Sequence, residues 1–519
     1  MPTNPAIFSN SDSRTWVQPD GVGTAFELYA CHALTNWSQD FGEPTYIRCK
    51  SPDEYGKKII KESIPGEGGA PTFTVVAWTS QEADFLISLK DTGCEVDWQV
   101  FFGACSSPSD ATGYTKIRHF YRSSLTSIGE ENVDGLDEDT AGVQLTGEFS
   151  CEEVVEILKM TVTRQNNGVT ETQGFNDIAF VTTTRCEGDC GAEVAACKWG
   201  VAVANCSYGA ATANVWYTND SGATWTLCAT DPFASSSASL SSCVIIAKEV
   251  APRFIVFRGT VFSDYGARCS ISDNWGASWS EVDMGGVANG SYVNGAFLYS
   301  AGMIWAVGNG GYIYYSMDQG ASWTEITNAT TGVNVELWDI HTPDNDTIYA
   351  VGDANTCIKS VDGGASWAAT SDASPAGSAV NLYTVQAPTK YRVIVGGQVD
   401  TNNDCMWISV DGGAVWNDVD FTGSTTASGA VRRIRLAPKA SEQHWVFIHG
   451  VESVTTRYGA GTNFYFFRTL DGGGSFERMN LVTNTGLNGL SVCSINRAWA
   501  CGQVNLLAGV SDIQRMAAA

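Results

Sequence analysis

The chain has 519 residues, of which 56 are acidic and 30 are basic, and its formal net charge at pH 7 is −26. This length is too great for one ordinary core and predicts two or three domains. A hydrophobic fraction of 44% excludes a disordered chain. The acidic excess argues against a groove that binds nucleic acid, although DNA could still slide past such a surface.

Signals for targeting, membrane insertion and catalysis are missing from the sequence. Residues 1–5 have neither the basic start nor the apolar run of a signal peptide, and no stretch reaches the roughly 18 apolar residues of a membrane helix. The five histidines are scattered, and no nucleophile, zinc-protease or phosphate-loop motif appears. We therefore predict no membrane insertion, no enzyme and no cofactor.

Residues 1–190 predict a separate, mainly β domain with one helix. Thr79 and Glu82 form a capping box, Gly93 ends the pattern, and the helix is expected over residues 80–92. Strand patterns occupy segments 45–50, 72–78, 96–102, 116–122, 143–149, 158–164 and 177–183. Segment 51–71 and the acidic segment 129–139 read as loops. The acidic segment lacks the spacing of a calcium loop, so we predict no metal there.

A short motif then recurs through residues 191–519, which predict a second domain. Its pattern is Ser or Thr, any residue, Asp or Asn, any residue, Gly, two residues and an aromatic. The six copies are Thr218/Asp220/Gly222/Trp225, Ser272/Asn274/Gly276/Trp279, Ser316/Asp318/Gly320/Trp323, Ser360/Asp362/Gly364/Trp367, Ser409/Asp411/Gly413/Trp416 and Thr469/Asp471/Gly473/Phe476. Their spacing is typical of repeats that are each one small antiparallel sheet.

The residue types of the motif suit a tight connection between two strands. Asp and Ser accept hydrogen bonds from backbone N–H groups, Gly supplies a positive φ, and the aromatic anchors the departing strand. Apolar strands that end in Gly precede most copies, as in segments 304–308, 349–352, 393–396 and 498–502. The last segment is followed only by a degenerate copy, Ser511-Asp512, and counts as a seventh repeat.

These motifs resemble the Asp-box (BNR-type) repeat, and together with the Gly-ended strands they resemble seven-bladed propellers of the photosystem II assembly-factor type. The resemblance implies a seven-bladed β-propeller in which the boxes are structural and lie at the blade periphery. Because the seventh repeat leaves no room for an outer strand, we expect an earlier segment, within residues 176–185, to supply it.

Elements of the first domain resemble tail tube proteins of long-tailed bacteriophages. They are the helix at 80–92, the strand at 95–102, the strand end at 124–128, the loop at 131–136 and the strand at 140–149. The resemblance implies a β-sandwich or barrel subunit that joins five others in a ring. We expect stacked homo-oligomeric rings in a virion, assembled in the host cytoplasm, with double-stranded DNA passing through an acidic lumen that repels phosphate.

In this interpretation the propeller is an outer decoration that contacts other tail proteins or a host surface glycan or protein. Two alternatives remain: an adhesin on a virion or secreted protein, and a sialidase-like glycosidase. The glycosidase needs three arginines for a substrate carboxylate. Arg432, Arg433 and Arg435 lie close together in the sequence, whereas a sialidase would have its arginines on different blades. Arg253 is only the nearest match to the motif that marks the first arginine of sialidases.

Sixteen cysteines are many for a reducing compartment. Neighbours in the sequence could form disulfides after release into an oxidising medium: Cys94/Cys105, Cys186/Cys190, Cys197/Cys206, Cys228/Cys243 and Cys493/Cys501. Buried thiols are the other interpretation. The group Cys186, Cys190 and Cys197 lacks the partner motif of a zinc site.

Overall fold

The structure is a computed structural model and describes residues 13–19, 26–28, 34–38, 72–77, 91, 95–103, 114–131, 143–170, 174–182, 197–204, 214–233, 239–259, 266–285, 291–300, 302–373, 380–421, 429–438, 441–452, 461–480, 486–505 and 510–518. The chain divides into two compact units, Met1–Lys159 and Met160–Ala519. The expected boundary at residue 190 is therefore too late, because the first strands of the second unit lie before it.

In the described part of the first unit, the strands form one seven-stranded sheet with the order β2-β1-β5-β6-β7-β4-β3. Its strands are β1 (Ser13–Pro19), β2 (Phe26–Leu28), β3 (Leu34–Ser38), β4 (Thr72–Ala77), β5 (Glu95–Gly103), β6 (Tyr114–Glu131) and β7 (Val143–Leu158). The predicted strands at 96–102, 116–122 and 143–149 are thus confirmed, and so is the strand at 72–78 as far as Ala77, the last described residue of that segment. Of the expected helix only Asp91 lies in the described part, and it is helical. Segments 45–50 and 51–71, and the acidic segment after Glu131, lie outside the described residues.

The second unit is a seven-bladed β-propeller, made of seven four-stranded sheets. The blades, in order, are β9 (Phe175–Phe180), β10 (Gly200–Ala204), β11 (Val215–Thr218), β12 (Thr226–Leu227); β13 (Leu240–Ile246), β14 (Arg253–Arg258), β15 (Ala267–Ser272), β16 (Ser280–Gly285); β17 (Val293–Leu298), β18 (Ile304–Gly308), β19 (Ile313–Ser316), β20 (Thr324–Ile326); β21 (Leu337–His341), β22 (Ile348–Gly352), β23 (Cys357–Ser360), β24 (Ala368–Ala369); β25 (Leu382–Gln386), β26 (Val393–Gly397), β27 (Met406–Ser409), β28 (Asn417–Asp418); β29 (Gly429–Leu436), β30 (Trp445–Glu452), β31 (Gly461–Thr469), β32 (Glu477–Asn480); and β33 (Leu487–Ser494), β34 (Arg497–Asn505), β35 (Val510–Ala518) with β8 (Met160–Arg164).

The first strands of the seven blades contact one another in a closed ring, from β9 through β13, β17, β21, β25 and β29 to β33 and back to β9. Short apolar runs form the first two strands, which are buried on both faces between neighbouring sheets. The fourth strands β12, β24 and β28 have exposed residues only. A four-residue helix, α1 (Asn328–Thr331), joins the third blade to the fourth. No helix of the described part is long and apolar enough to cross a membrane.

The ring is closed in the seventh blade by a strand from the start of the unit. β8 pairs antiparallel with β35, from Gln514↔Arg164 to Ala518↔Met160. Arg164 Nε donates to the buried Asp512 at 2.7 Å, and Gln165 N–H donates to Ile513 O at 2.8 Å. An early strand thus closes the ring, as expected, but it is β8 and not segment 176–185. That segment overlaps β9, the innermost strand of the first blade.

Candidate functional site

The six repeated motifs lie between the third and fourth strands of the first six blades, where the chain turns. Thr218 ends β11 and Trp225 precedes β12, and the other five copies are placed in the same way. Ser511 and Asp512 do not form a seventh copy: both lie within β35, and Asp512 is buried against Arg164. The seventh blade has no such turn because its fourth strand, β8, comes from another part of the chain.

Each turn is held by the same small set of hydrogen bonds, shown by the fourth copy. Ser360 Oγ accepts from Gly364 N–H at 2.9 Å and donates to Asp362 Oδ1 at 2.8 Å. Asp362 Oδ1 also accepts from Ser366 N–H at 2.8 Å. The Ser or Thr hydroxyl and the Asp or Asn oxygen make the equivalent bonds in the other five copies, with oxygens from Asp220, Asn274, Asp318, Asp411 and Asp471. These polar groups are therefore engaged within the turn.

The sixth copy keeps these bonds although Thr replaces Ser and Phe replaces Trp. Thr469 Oγ1 accepts from Gly473 N–H at 2.9 Å and donates to Asp471 Oδ1 at 2.7 Å. Asp471 Oδ1 also accepts from Ser475 N–H at 2.9 Å. The N–H groups of the other motif glycines donate in the same way to the hydroxyl of their own turn, over 2.8 to 2.9 Å: Gly222, Gly276, Gly320 and Gly413. The hydroxyl–glycine bond therefore occurs in all six turns.

A further hydroxyl belongs to the motif and was not identified in the sequence. The residue before the aromatic donates its side-chain hydroxyl to the second carboxylate oxygen in four copies, through Thr224, Ser322, Ser366 and Ser475. In the second copy Asn274 Nδ2 donates to Ser278 Oγ instead, and the fifth copy has Val415. The sequence contains a signal for this hydroxyl, because Ser or Thr recurs at the position before the aromatic.

These bonds stabilise the ionised carboxylate, as pKa values indicate. Hydrogen bonds from Ser366 and Ser360 lower the pKa of Asp362 to about 2. Partial burial raises the pKa of Asp318, but donors of its own turn outweigh this and hold it below its ordinary value. The carboxylates thus accept bonds from their own turns, an arrangement that supports a structural role.

The glycines of the motif are required both by backbone conformation and by lack of space. A Cβ on Gly364 would lie 2.9 Å from Trp305 of the preceding blade, and one on Gly222 would lie 2.8 Å from Trp499 Nε1 of the seventh blade. Each turn therefore fits closely against a neighbour. All six glycines have positive φ: Gly222 (80°), Gly276 (74°), Gly320 (85°), Gly364 (90°), Gly413 (92°) and Gly473 (102°).

The other four motif glycines also face the blade that precedes their own. A Cβ on Gly276 would overlap the side chain of Cys228, and one on Gly413 would lie 2.7 Å from Thr370 Cγ2. A Cβ on Gly320 would lie 3.0 Å from Ile255 Cδ1, and one on Gly473 would lie 3.2 Å from Ile408 Cδ1. The approach is thus closest at the second and fifth turns and looser at the third and sixth.

Replacing Gly364 with Ala is expected to destabilise the propeller by about 3 kcal/mol, since left-handed backbone costs roughly 1 to 2 kcal/mol and overpacking a similar amount. Gly332→Ala is the matched control, because Gly332 has a φ of 75° but nothing within 4 Å of its Cβ position. It should cost only about 1 kcal/mol. Urea unfolding measures both, and equal losses would contradict the role assigned to Trp305.

The aromatics of the motif lie at the junctions between blades. Trp225 and Trp416 are buried, and Trp279, Trp323, Trp367 and Phe476 are half-buried. Trp279 Nε1 donates to Thr230 O and Trp416 Nε1 to Ser371 O, in each case on the connection from the preceding blade, at 3.1 Å. Trp323 and Trp367 instead donate to the glycine carbonyl of their own turns.

A ring of β-bulges surrounds the propeller axis and was not predicted. Each innermost strand has one extra residue opposite its neighbour: Asn176, Ser241, Asn294, Trp338, Tyr383, Arg432 and Asn488. The three asparagines donate to backbone carbonyls of the next blade, at Leu240, Leu337 and Phe175, over 2.7 to 3.0 Å. A bulge re-aims its side chain, and here it joins neighbouring blades. The recurring pattern of an apolar residue, Asn and then Asp or Gly could have revealed these three positions.

Charged residues next to the bulges form a buried cluster at the axis. Arg433 lies between Asp177 of the first blade and Asp339 of the fourth, at 3.7 and 3.5 Å. Arg435 donates to Asp339 at 3.0 Å, as does Thr384 Oγ1 at 2.9 Å. Burial alone would raise the pKa of Asp339, but Arg435 and Arg433 hold it below its ordinary value. These two arginines therefore face carboxylates of the protein.

Arg253 lies at a groove of about 360 Å³ between the turns of the second and third blades. Its guanidinium contacts Asp273 at 2.6 and 2.8 Å and donates to Gln319 O at 3.3 Å. Its hydrogen bond lowers the pKa of Asp273 to about 2. Arg253 thus links two neighbouring turns.

The predicted motif residues do not converge on this groove. Asn274 of the second copy lines it, whereas the glycines Gly276 and Gly320 of the two adjoining turns do not. Gly413, Asp471 and Gly473 belong to the fifth and sixth blades and also lie outside its lining. Among the described residues, no group of three His, Cys, Asp or Glu side chains could hold a metal ion. The motif residues are therefore distributed around the propeller, one turn to each of six blades.

An arc of apolar side chains is exposed on the face that carries the turns, here called the turn face. Met317, Val361 and Val410 occupy the second position of three consecutive turns, with exposed fractions of 71, 66 and 51%. Tyr391, 57% exposed, lies beside them, since its carbonyl accepts from Gly412 N–H at 2.7 Å. Aligned exposed apolar residues are a feature of contact surfaces.

The cysteines whose side chains are described form no disulfide in the structure: Cys197, Cys228, Cys243, Cys269, Cys357, Cys405, Cys493 and Cys501. The expected pairs Cys228/Cys243 and Cys493/Cys501 are therefore not bonded in the structure. Burial raises the pKa of Cys228 to about 12, and Cys243 Sγ donates to Val201 O. Cys94, Cys105, Cys186, Cys190 and Cys206 lie outside the described residues.

The model of the Sortilin-Vps10 family (sortilin, neurotensin receptor 3) matches residues 311–449, from the third blade to the sixth. No curated protein sequence matches the chain. Among solved structures, the chain is similar to YCF48 bound to D1 peptide, with 12% identity over 70% of this chain and 96% of that chain and a TM-score of 0.46. It is also similar to YCF48 from Cyanidioschyzon merolae (14% identity, 69% of this chain, 99% of that chain, TM-score 0.46). A third similar structure is a GH74 xyloglucanase from Xanthomonas campestris, with 12% identity over 66% of this chain and 54% of that chain and a TM-score of 0.43.

Proposed function

We propose that this chain is a structural subunit of a bacteriophage tail. The first unit is a tail-tube domain that forms stacked, hexameric rings around a DNA-conducting lumen. The second unit is an Asp-box propeller that decorates the tube. The proposed partners are other copies of the chain, other tail proteins and DNA in transit, and the proposed location is the virion.

The observation that carries this proposal is the contrast between the edges of the two units. The sheet of the first unit is open within the described part, and β2 and β3 are its edge strands. Open edges pair with strands of other chains. The propeller is closed by β8 and β35, and three of its outer strands have only two residues. Assembly by strand pairing is therefore assigned to the first unit.

A non-catalytic role for the propeller is supported by its polar groups. The acidic residues of the turns accept bonds from their own turns, and Arg433 and Arg435 face Asp339 and Asp177. A sialidase needs arginines that are open to a substrate carboxylate. The apolar arc on the turn face offers instead a contact surface for a tail protein or a host surface molecule. The adhesin alternative assigns the same contact role to the propeller.

Electron microscopy of the purified full-length protein tests the proposal. We expect rings or tubes, because strand pairing between first units is intermolecular. The net charge of −26 favours, in addition, a lumen that does not retain DNA. Hydrolysis of a fluorogenic sialoside should not exceed background. Isolated propellers without rings would favour the adhesin. Sialoside turnover that a single Tyr or Glu substitution abolishes would establish the glycosidase and overturn the proposal.

A further inference from the structure

The first and last blades meet at a seam that also brings together two cysteines far apart in the sequence. Cys197 precedes β10 of the first blade, and Cys493 lies in β33 of the seventh. Both contact one backbone carbonyl: Val181 O accepts from Cys197 N–H at 2.9 Å and from Cys493 Sγ at 3.3 Å. Cys197 also packs against the apolar cluster that contains Cys493. The two residues are therefore neighbours across the seam.

The two cysteines differ in exposure and in backbone conformation. Cys493 is 5% exposed and belongs to the apolar cluster at the seam, whereas Cys197 is half-buried and packs against that cluster. Cys197 also has a φ of 58°, in the left-handed region that residues other than Gly rarely adopt. Such strained positions are concentrated at functional sites. Cys197 is thus the cysteine that a reagent in solution reaches first.

The surroundings give the two thiols different reactivity. Contact with the Cys493 side chain lowers the pKa of Cys197 against the opposing effect of burial, and Arg497 and Arg515 lower it further. Burial, and then the same contact with Cys197, raises the pKa of Cys493. Since the thiolate is the nucleophile in disulfide exchange, Cys197 is the cysteine suited to attack first, and Cys493 is placed beside it to attack the mixed disulfide in the second step.

We propose that Cys197 and Cys493 form a disulfide that joins the first blade to the seventh when the protein meets a low-molecular-weight disulfide such as oxidised glutathione. The Cys197 thiolate attacks one sulfur of glutathione disulfide, forms a mixed disulfide and releases one glutathione thiolate. Cys493 then attacks the Cys197 sulfur and gives up its proton, and the second glutathione leaves as a thiol. Two protein thiols are oxidised, and one glutathione disulfide is reduced to two glutathiones.

This pairing differs from the pairs expected between neighbours in the sequence. Cys501, the expected partner of Cys493, is buried, and its Sγ would lie 2.9 Å from a Cβ on Gly489. The proposed bond closes a loop of roughly 300 residues, so in the chain-entropy account it restricts the unfolded chain more than a local pair would. Its position at the seam adds a covalent link to the closure made by β8.

The test uses the full-length protein, treated with glutathione disulfide and digested without reduction. Mass spectrometry should find the peptide of Cys197 linked to that of Cys493. The melting temperature should rise on the order of 5 °C and return to its earlier value with dithiothreitol. Cys228→Ser is the matched control, because Cys228 is buried near another blade junction, and this variant should keep both the link and the shift.

Two variants separate the steps of the exchange. Cys493→Ser should accumulate a single glutathione on Cys197, whereas Cys197→Ser should leave Cys493 unmodified. Circular dichroism verifies that both variants fold, and the linked peptide of the unsubstituted protein decides the case if they do not. The proposal is overturned if Cys197 is found linked to Cys206, if no linked peptide forms, or if Cys197→Ser retains the shift.

Discussion

A chain that begins at Met160 is expected to fold into a stable propeller, whereas a chain that begins at Gly191 is not. The second chain lacks β8, which closes the seventh blade, and β9, the innermost strand of the first. β9 carries the buried Phe175, Ile178 and Phe180, each worth roughly 1.5 to 3 kcal/mol. Together with the lost strand pairing, this approaches the whole stability of about 5 to 15 kcal/mol of a typical domain.

Soluble yield, circular dichroism and thermal melting of fragments 160–519 and 191–519 measure this difference. The shorter fragment should aggregate or melt without cooperativity. A cooperative transition at the same temperature in both fragments would show that β8 and β9 are dispensable, and the closure described here would be wrong. The complementary fragment 1–159 should still form rings if the first unit is the tube domain, whereas rings formed by 160–519 alone would reverse the proposed roles.

The repeated turns could be predicted from the sequence because their interactions are local. In the fourth copy, Ser360, Asp362, Gly364 and Ser366 satisfy one another within seven residues. Such a motif is readable without knowledge of the partners. The number of blades followed from the number of motifs and Gly-ended strands, and the Gly at the end of β22 is required because a Cβ on Gly352 would overlap the carbonyl oxygen of Glu336.

The axis and the closing strand could not be derived in the same way, because their partners are distant in the sequence. Asn488 donates to Phe175 O and Asp512 pairs with Arg164, and neither residue shows a local pattern that names its partner. Segment 158–164 was predicted as a strand but was assigned to the first domain, because the sequence of a strand does not specify which sheet the strand joins. The cysteines illustrate the same limit: Cys197 and Cys493 lie far apart in the sequence, yet both donate to Val181 O.

Replacing Arg433 with Met is expected to cost roughly 3 to 5 kcal/mol of unfolding free energy, because it leaves the buried Asp177 and Asp339 without their shared cation. Arg268→Met is the control, since Arg268 forms a partly exposed pair with Glu281 at 2.7 Å. That loss should stay below about 1 kcal/mol. Adding Asp339→Asn to Arg433→Met should recover part of the loss, with a coupling of about 1 to 3 kcal/mol in a double-mutant cycle. Strictly additive losses would contradict a direct interaction between Arg433 and Asp339.

The pH dependence of the same cluster follows from the lowered pKa of Asp339, which Arg435 and Arg433 cause against the effect of burial. A carboxylate with a lowered folded-state pKa contributes its full stability above the unfolded value of about 3.9, and loses it as the pH falls through the folded value. The stability difference between the unsubstituted protein and Asp339→Asn should therefore be constant from pH 7 to 5 and shrink below pH of about 4. Urea unfolding across this range measures it. A difference that grows on acidification would mean that Asp339 is protonated in the folded protein, and that the arginines do not hold it ionised.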